Sequence, residues 1–198
     1  MKIAYFNCVG GVSGDMILAA MIDAGLPLEV LNKELSKLQL RGYEIDTESA
    51  INGAISGTKV TIRLETTLAH QVHRSLQDVL DIISNSALKA ETKEKSCAIF
   101  NNLAIAEAKV HQTSTDKVLF HEVGAVDAIL DIVGASIGFK WLGIDTAYCS
   151  PIPAGSGVIK TSHGKLPVPA PATLELLAMN KAPLSEPIPG ITPRAELS

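Results

Sequence analysis

Apolar and polar residues alternate from Lys2 to Asn7, with Ile3 and Tyr5 on one face, and the run stops at Gly10-Gly11-Val12-Ser13-Gly14. This predicts a strand that enters a glycine-rich turn. Residues 15–24 are rich in helix formers, Ser13 stands where an N-cap belongs and Gly25 where a helix stops. Leu28, Leu31, Leu35 and Leu38 then recur at helical spacing behind Pro27 and up to Gly42, which predicts a second helix. Residues 43–54 and 58–64 carry β-branched and alternating side chains, a hairpin pattern with Ile55-Ser56-Gly57 as its turn.

Residues 65–74 lose all periodicity and read as a loop or linker, after which Ser75 caps a helix reaching about residue 83. A longer helix is expected over 87–110, because Ile99, Leu103, Ala106 and Val110 fall on one face. Residues 118–121 suggest a short strand. Residues 124–142 form an apolar helical run broken only by small residues and by Asp127 and Asp131, which predicts a buried helix ending at Gly143-Ile144-Asp145 and followed by a strand over 146–150. Prolines at 151, 153, 167, 169 and 171 impose turns and extended pieces before a short helix over 173–178, and the chain beyond Met179 is expected to be loose. The expected class is α/β: a mixed sheet flanked by helices, with a proline-rich C-terminal segment. Three stretches, 1–66, 67–179 and 180–198, are expected to form one compact unit.

With 198 residues, 46% of them hydrophobic and 19% charged, the chain can bury a core and is not disordered as a whole. Seventeen Lys and Arg against twenty-one Asp and Glu leave a formal charge of −4, so no overall positive field is available to hold nucleic acid. The longest apolar runs are too short, or too interrupted by aspartate, to cross a membrane. No signal-peptide pattern opens the chain, and the expected location is the cytoplasm. Cys8, Cys97 and Cys149 are odd in number and widely spaced, which fits reduced thiols rather than a disulfide framework or a zinc knuckle.

Four segments carry candidate chemistry. Gly10, Gly11, Ser13 and Gly14 lead into a helix N-terminus, whose amides and dipole favour an anion such as phosphate, although the loop lacks the lysine of a P-loop. Asp15 sharpens this, since a carboxylate beside a phosphate is repulsive unless a cation lies between them; otherwise Ser13 and Asp15 simply cap the helix. Asp127 and Asp131, four apart on a predicted helix, project together, with His121 and Glu122 just ahead of them. Oxygen and imidazole donors suit magnesium, manganese or nickel, unless Asp127 only completes the first turn and Asp131 faces solvent. His70 and His73 are spaced to chelate one metal if their segment folds back, and are otherwise solvated loop histidines. His163, followed by Gly-Lys-Leu-Pro-Val-Pro-Ala-Pro, sits on a path that prolines fix, either toward a ligand or as an exposed loop.

Taken in order, Val-Gly-Gly-Val-Ser-Gly-Asp-Met-Ile-Leu-Ala-Ala, His121-Glu122-Val-Gly-Ala-Val-Asp127 and His163-Gly-Lys-Leu-Pro-Val-Pro-Ala-Pro-Ala-Thr resemble the LarC family over nearly the whole chain. The resemblance implies a nickel insertion protein. Such proteins place nickel into a pyridinium bisthiocarboxylate mononucleotide to complete the nickel-pincer cofactor of lactate racemase and similar enzymes, using CTP and a divalent metal. Family members continue into a C-terminal domain to which CTP binding is assigned, so a C-terminal domain or partner chain is expected. A homo-oligomer is expected as well, with neither nucleic acid nor membrane as partner.

On this reading Asp15, His121 and Glu122 are the candidate catalytic residues, and Gly10, Gly11, Ser13, Gly14 and His163 hold the mononucleotide. Asp127, Asp131, His70 and His73 are the candidate metal ligands, for nickel in transit and for manganese or magnesium. The same carboxylates would also serve a metal-dependent phosphate-ester hydrolase or nucleotidyl-transfer enzyme. A non-catalytic assembly module, whose apolar helices dock a partner, is the third reading.

Overall fold

A computed structural model describes residues 1–65, 74–120, 124–161, 164–186 and 194–195, and every structural statement concerns these. In chain order the elements are β1 (Ile3–Phe6), β2 (Gly11–Val12), α1 (Gly14–Asp23), α2 (Leu28–Leu35, extended by a 3-10 turn Ser36–Leu38), β3 (Tyr43–Asn52) and β4 (Ile55–Leu64). Next come β5 (Arg74–Ser75), α3 (Leu76–Ser84), α4 (Ala90–Val110), a 3-10 turn Thr115–Lys117, β6 (Leu119–Phe120), α5 (Val126–Leu142) and β7 (Thr146–Cys149). The chain ends with β8 (Ile152–Pro153), β9 (Val158–Thr161), β10 (Gly164–Pro167), α6 (Pro171–Met179), β11 (Leu184–Ser185) and β12 (Arg194–Ala195).

The class is mixed α/β, as expected, and the strands of the described residues pair two by two in both senses. β1 runs parallel to β7, β8 to β11 and β2 to β12, while β3–β4, β5–β6 and β9–β10 are antiparallel. The segment after Met179, expected to be loose, is therefore tied at two points: Leu184–Ser185 beside Ile152–Pro153, and Arg194–Ala195 beside Gly11–Val12. No helix among the described residues is long and apolar enough to cross a membrane.

α5 is the axle of the core. Val126, Ala128, Ile129, Leu130, Val133 and Ile137 are all buried, because the helix is apolar around its whole circumference and packs against α1, α2 and α4. Two of its small residues permit that approach. A Cβ at Gly134 would come within 2.8 Å of Leu18 Cδ2, and one at Gly138 would run into Met21. Gly14 near the start of α1 likewise faces Asp131. The pairs 14/131, 18/134 and 21/138 advance together, so α1 and α5 lie parallel. Since β1 and β7 are parallel too, both helices begin at the end where both strands finish.

The finer differences from the sequence reading have local causes. The hairpin turns at Gly53-Ala54 rather than at 55–57, since Gly53 takes φ +63 in a two-residue turn that pairs Asn52 with Ile55. On α4 the buried stripe is Thr92, Ser96, Phe100, Ala104 and Ala108, with Leu103 and Ala106 beside it, whereas Ile99 and Val110 are exposed. Small and polar residues carry that stripe, so a search for large apolar side chains selects a neighbouring face. Ser75 caps α3 as expected: its Oγ accepts from the Asp78 N–H, and Asp78 reaches back to the Ser75 N–H at 2.8 Å, a complete capping box.

Leu18 is fully buried where α1 crosses α5. Leu18→Ala is expected to lower stability by about 2–5 kcal/mol, read as a fall in the urea midpoint. A change below about 1 kcal/mol would mean that this helix pair is not the core contact described here.

Candidate functional site

The parallel packing of α1 and α5 brings their first turns together, and with them three carboxylates on two different helices. Asp131 is one turn into α5 and only 4% exposed. Its carboxyl lies against the bare Cα of Gly14, where any Cβ would collide with it. Oδ1 of Asp131 is buried and has no hydrogen-bond partner among the described residues. Burying a carboxylate is costly, and burial first, then the charges of Asp15 and Asp127, push its pKa up to about 7. Asp15 and Asp127 are therefore near enough for their charges to act on it.

Asp15, half-buried, accepts the Met16 N–H at 2.8 Å and the Ser13 hydroxyl on the same Oδ1. Asp127, also half-buried, accepts the Ala128 N–H at 2.9 Å. Each therefore serves its own first helical turn with one oxygen, as an acid at a helix N-terminus does. The reading in which Asp131 faces solvent is overturned, because α5 turns that position into the α1 contact. Ser13 occupies the N-cap of α1 without a side-chain cap bond, since its hydroxyl goes to Asp15. In the loop ahead, Gly11 is buried at φ +91 and its N–H closes a turn onto the Cys8 carbonyl at 3.1 Å. Gly10 is half-buried, with open space at the position a Cβ would take.

Gly10, Gly11, Ser13, Gly14, Asp15, Asp127 and Asp131 are thus brought to one end of the molecule. His70, His73, His121, Glu122 and His163 lie outside the described residues. Among the described residues no group of three or more His, Cys, Asp or Glu side chains is placed to hold a metal ion. The carboxylates converge without closing into a cage.

Arg74 is a residue to which the sequence analysis assigns no role. It stands in β5, opposite Phe120 of β6, and its Nη1 donates to the Gly124 carbonyl at 2.5 Å, tying that strand pair to the entry of α5. The only sequence signal for this is a basic residue directly after His70 and His73. The described residues thus place three acids near two helix N-termini, with Arg74 tied to the entry of α5.

The model of the nickel insertion protein family matches residues 4–195. A putative nickel insertion protein of Syntrophobacter fumaroxidans is 51% identical over 177 residues, which cover 89% of this chain and 45% of that protein. The pyridinium-3,5-bisthiocarboxylic acid mononucleotide nickel insertion protein of Desulfitobacterium hafniense is also 51% identical, over 89% of this chain and 43% of its own length. A putative nickel insertion protein of Roseiflexus castenholzii is 44% identical over 93% of this chain and 46% of its own. The chain spans less than half the length of these relatives. No solved structure matches.

The raised Asp131 pKa has a sign. Its folded value of about 7 exceeds the roughly 3.9 of an unfolded carboxyl. From about pH 4 to 7 the folded chain therefore keeps a proton that the unfolded chain has released, and stability falls as pH rises through that window. Urea midpoints measured across it should decline less for Asp131→Asn, which is neutral throughout. Equal declines would place the shifted proton elsewhere.

Proposed function

The chain belongs to the nickel insertion protein family, and from that membership we propose that it takes part in inserting nickel into a pyridinium bisthiocarboxylate mononucleotide, in nickel-pincer cofactor biosynthesis. The observation that carries the reading within this chain is the buried Asp131 carboxyl beside Gly14, whose Oδ1 has no hydrogen-bond partner among the described residues and which feels the charges of Asp15 and Asp127. The donor set is hard oxygen, which fits manganese or magnesium as a resident cation. Asp127 and Asp131 would hold it, with Asp15 alongside. When bound, the cation would neutralise the acids and draw in the substrate phosphate.

The rest is assigned to the chain's own groups. The loop from Gly10 to Gly14 and the first turn of α1 orient the phosphate through backbone N–H groups, with His163 as a further contact. His121 and Glu122 stand directly ahead of α5 in the chain and are the candidates for proton handling. His70 and His73 escort nickel, which is cargo rather than a fixed part of the protein. The thiocarboxylate sulfurs are softer donors than carboxylate or imidazole, so nickel moves toward the substrate. CTP as cosubstrate, a C-terminal domain or chain that supplies its site, a homo-oligomer, a cytoplasmic setting and lactate racemase maturation complete the proposal. The resemblance to the LarC family and the length of the relatives support these last assignments.

Calorimetric titration with manganese tests the cation site. Wild type should bind saturably, and Asp127→Asn/Asp131→Asn should lose binding by at least about tenfold, with an unchanged circular dichroism spectrum. Undiminished manganese affinity in the double variant would remove these residues from the metal site. Nickel insertion into the mononucleotide, with CTP, manganese and a relative's C-terminal domain supplied, should proceed with wild type and fail in the same variant. Turnover of simple phosphate esters without nickel would favour the hydrolase reading instead.

A further inference from the structure

Two of the three cysteines meet at the same end of the molecule as the carboxylates. β1 and β7 pair in parallel up to Phe6 opposite Cys149, and paired strands lie about 4.8 Å apart. Cys8 follows two residues after Phe6, and its N–H donates to Ser150 Oγ at 2.8 Å, which fixes it against the residue next to Cys149. The turn closed by the Gly11 N–H on the Cys8 carbonyl then leads straight into α1. Cys8 is 5% exposed, whereas Cys149 is exposed. Both thiols are free. Their charges sense one another: burial raises the Cys8 thiol first, Cys149 adds to this, and the Ser150 side chain opposes it by hydrogen-bonding the sulfur.

We propose that Cys8 and Cys149, with Ser150 steadying the inner sulfur, form a two-thiolate landing site for nickel beside the carboxylates of α1 and α5. The inference rests on the nickel-insertion reading and adds a donor class that the carboxylates lack. Thiolates are soft ligands that suit nickel and discriminate against magnesium and manganese, so the two kinds of metal are sorted by donor chemistry at one end of the fold. Binding forms two S–Ni bonds and releases two thiol protons to solvent, with no change in oxidation state. Delivery to a thiocarboxylate then breaks the two cysteine S–Ni bonds as substrate S–Ni bonds form, and the freed thiolates take protons back from solvent. The exposed Cys149 gives entry, and the shielded Cys8 limits escape.

Titration of the reduced, metal-free chain with nickel chloride, followed by near-ultraviolet thiolate-to-nickel charge-transfer absorption, tests this. A saturable band is expected in wild type. It should vanish in Cys149→Ser, whose exposed position makes the change safe for folding, and in Cys8→Ser checked by its thermal melt. It should persist in Cys97→Ser and in Asp127→Asn/Asp131→Asn. No band in wild type, a band that survives Cys149→Ser, or equal loss in Cys97→Ser overturns the thiol site. The nickel-insertion reading then still stands on its own assay. A thiol-dependent band in a chain that fails insertion even with a relative's C-terminal domain and CTP supplied keeps the nickel site and removes that reading.

Discussion

The contact between the Asp131 carboxyl and the bare Cα of Gly14 decides the character of this fold. It exists because α1 and α5 start at the same end and the glycine at each of these close approaches leaves room for the other helix's side chain. Gly134 and Gly138 continue the same close approach, against Leu18 and Met21. Interiors at native density transmit such constraints, so the seat of Asp131 is set by the packing below it as much as by its own turn. The site is thus coupled to the core.

That coupling makes the ends of β1 and β7 the natural place for chemistry. In open α/β arrangements, ligands gather outside the carboxyl ends of parallel strands, where loops lead into helix N-termini. Here one such loop runs from Cys8 to Gly14, while α5 begins beside α1 and leads down to β7. The sheet itself is only a strand pair. Helices therefore position the site, and the strands mainly set the direction in which the chain enters it.

Much of this was legible in the sequence. The end of α5 followed from an apolar run stopped by Gly143, while its start falls two residues later than expected, and the spacing of Asp127 and Asp131 put both on one helix face. Ser75 announced the start of α3. The burial of Asp131 was not legible, because a helix that is apolar all round has no periodicity to say which face meets which neighbour. Nor does glycine spacing in two distant segments reveal that they touch. The α4 stripe was displaced because Ser96, Ala104 and Ala108 pack closely without being large. The proximity of Cys8 and Cys149 depends on β1 pairing with a strand some 140 residues away, which no local pattern encodes.

Among the described residues some acids are paired with a base and others are not. Glu34, Asp46, Glu48, Glu91 and Glu175 each meet a Lys or Arg within ion-pair distance. Asp15, Asp127 and Asp131 form no ion pair among the described residues, and they repel one another at the crossing of two helices. Both helix N-termini soften that repulsion, but their dipoles provide only a fraction of a charge each. A fold selected for stability alone would place a lysine there or replace Asp131 with an apolar residue, since a buried acid without a partner is among the costlier features a core can hold. Local rules are broken in this way chiefly where function requires it.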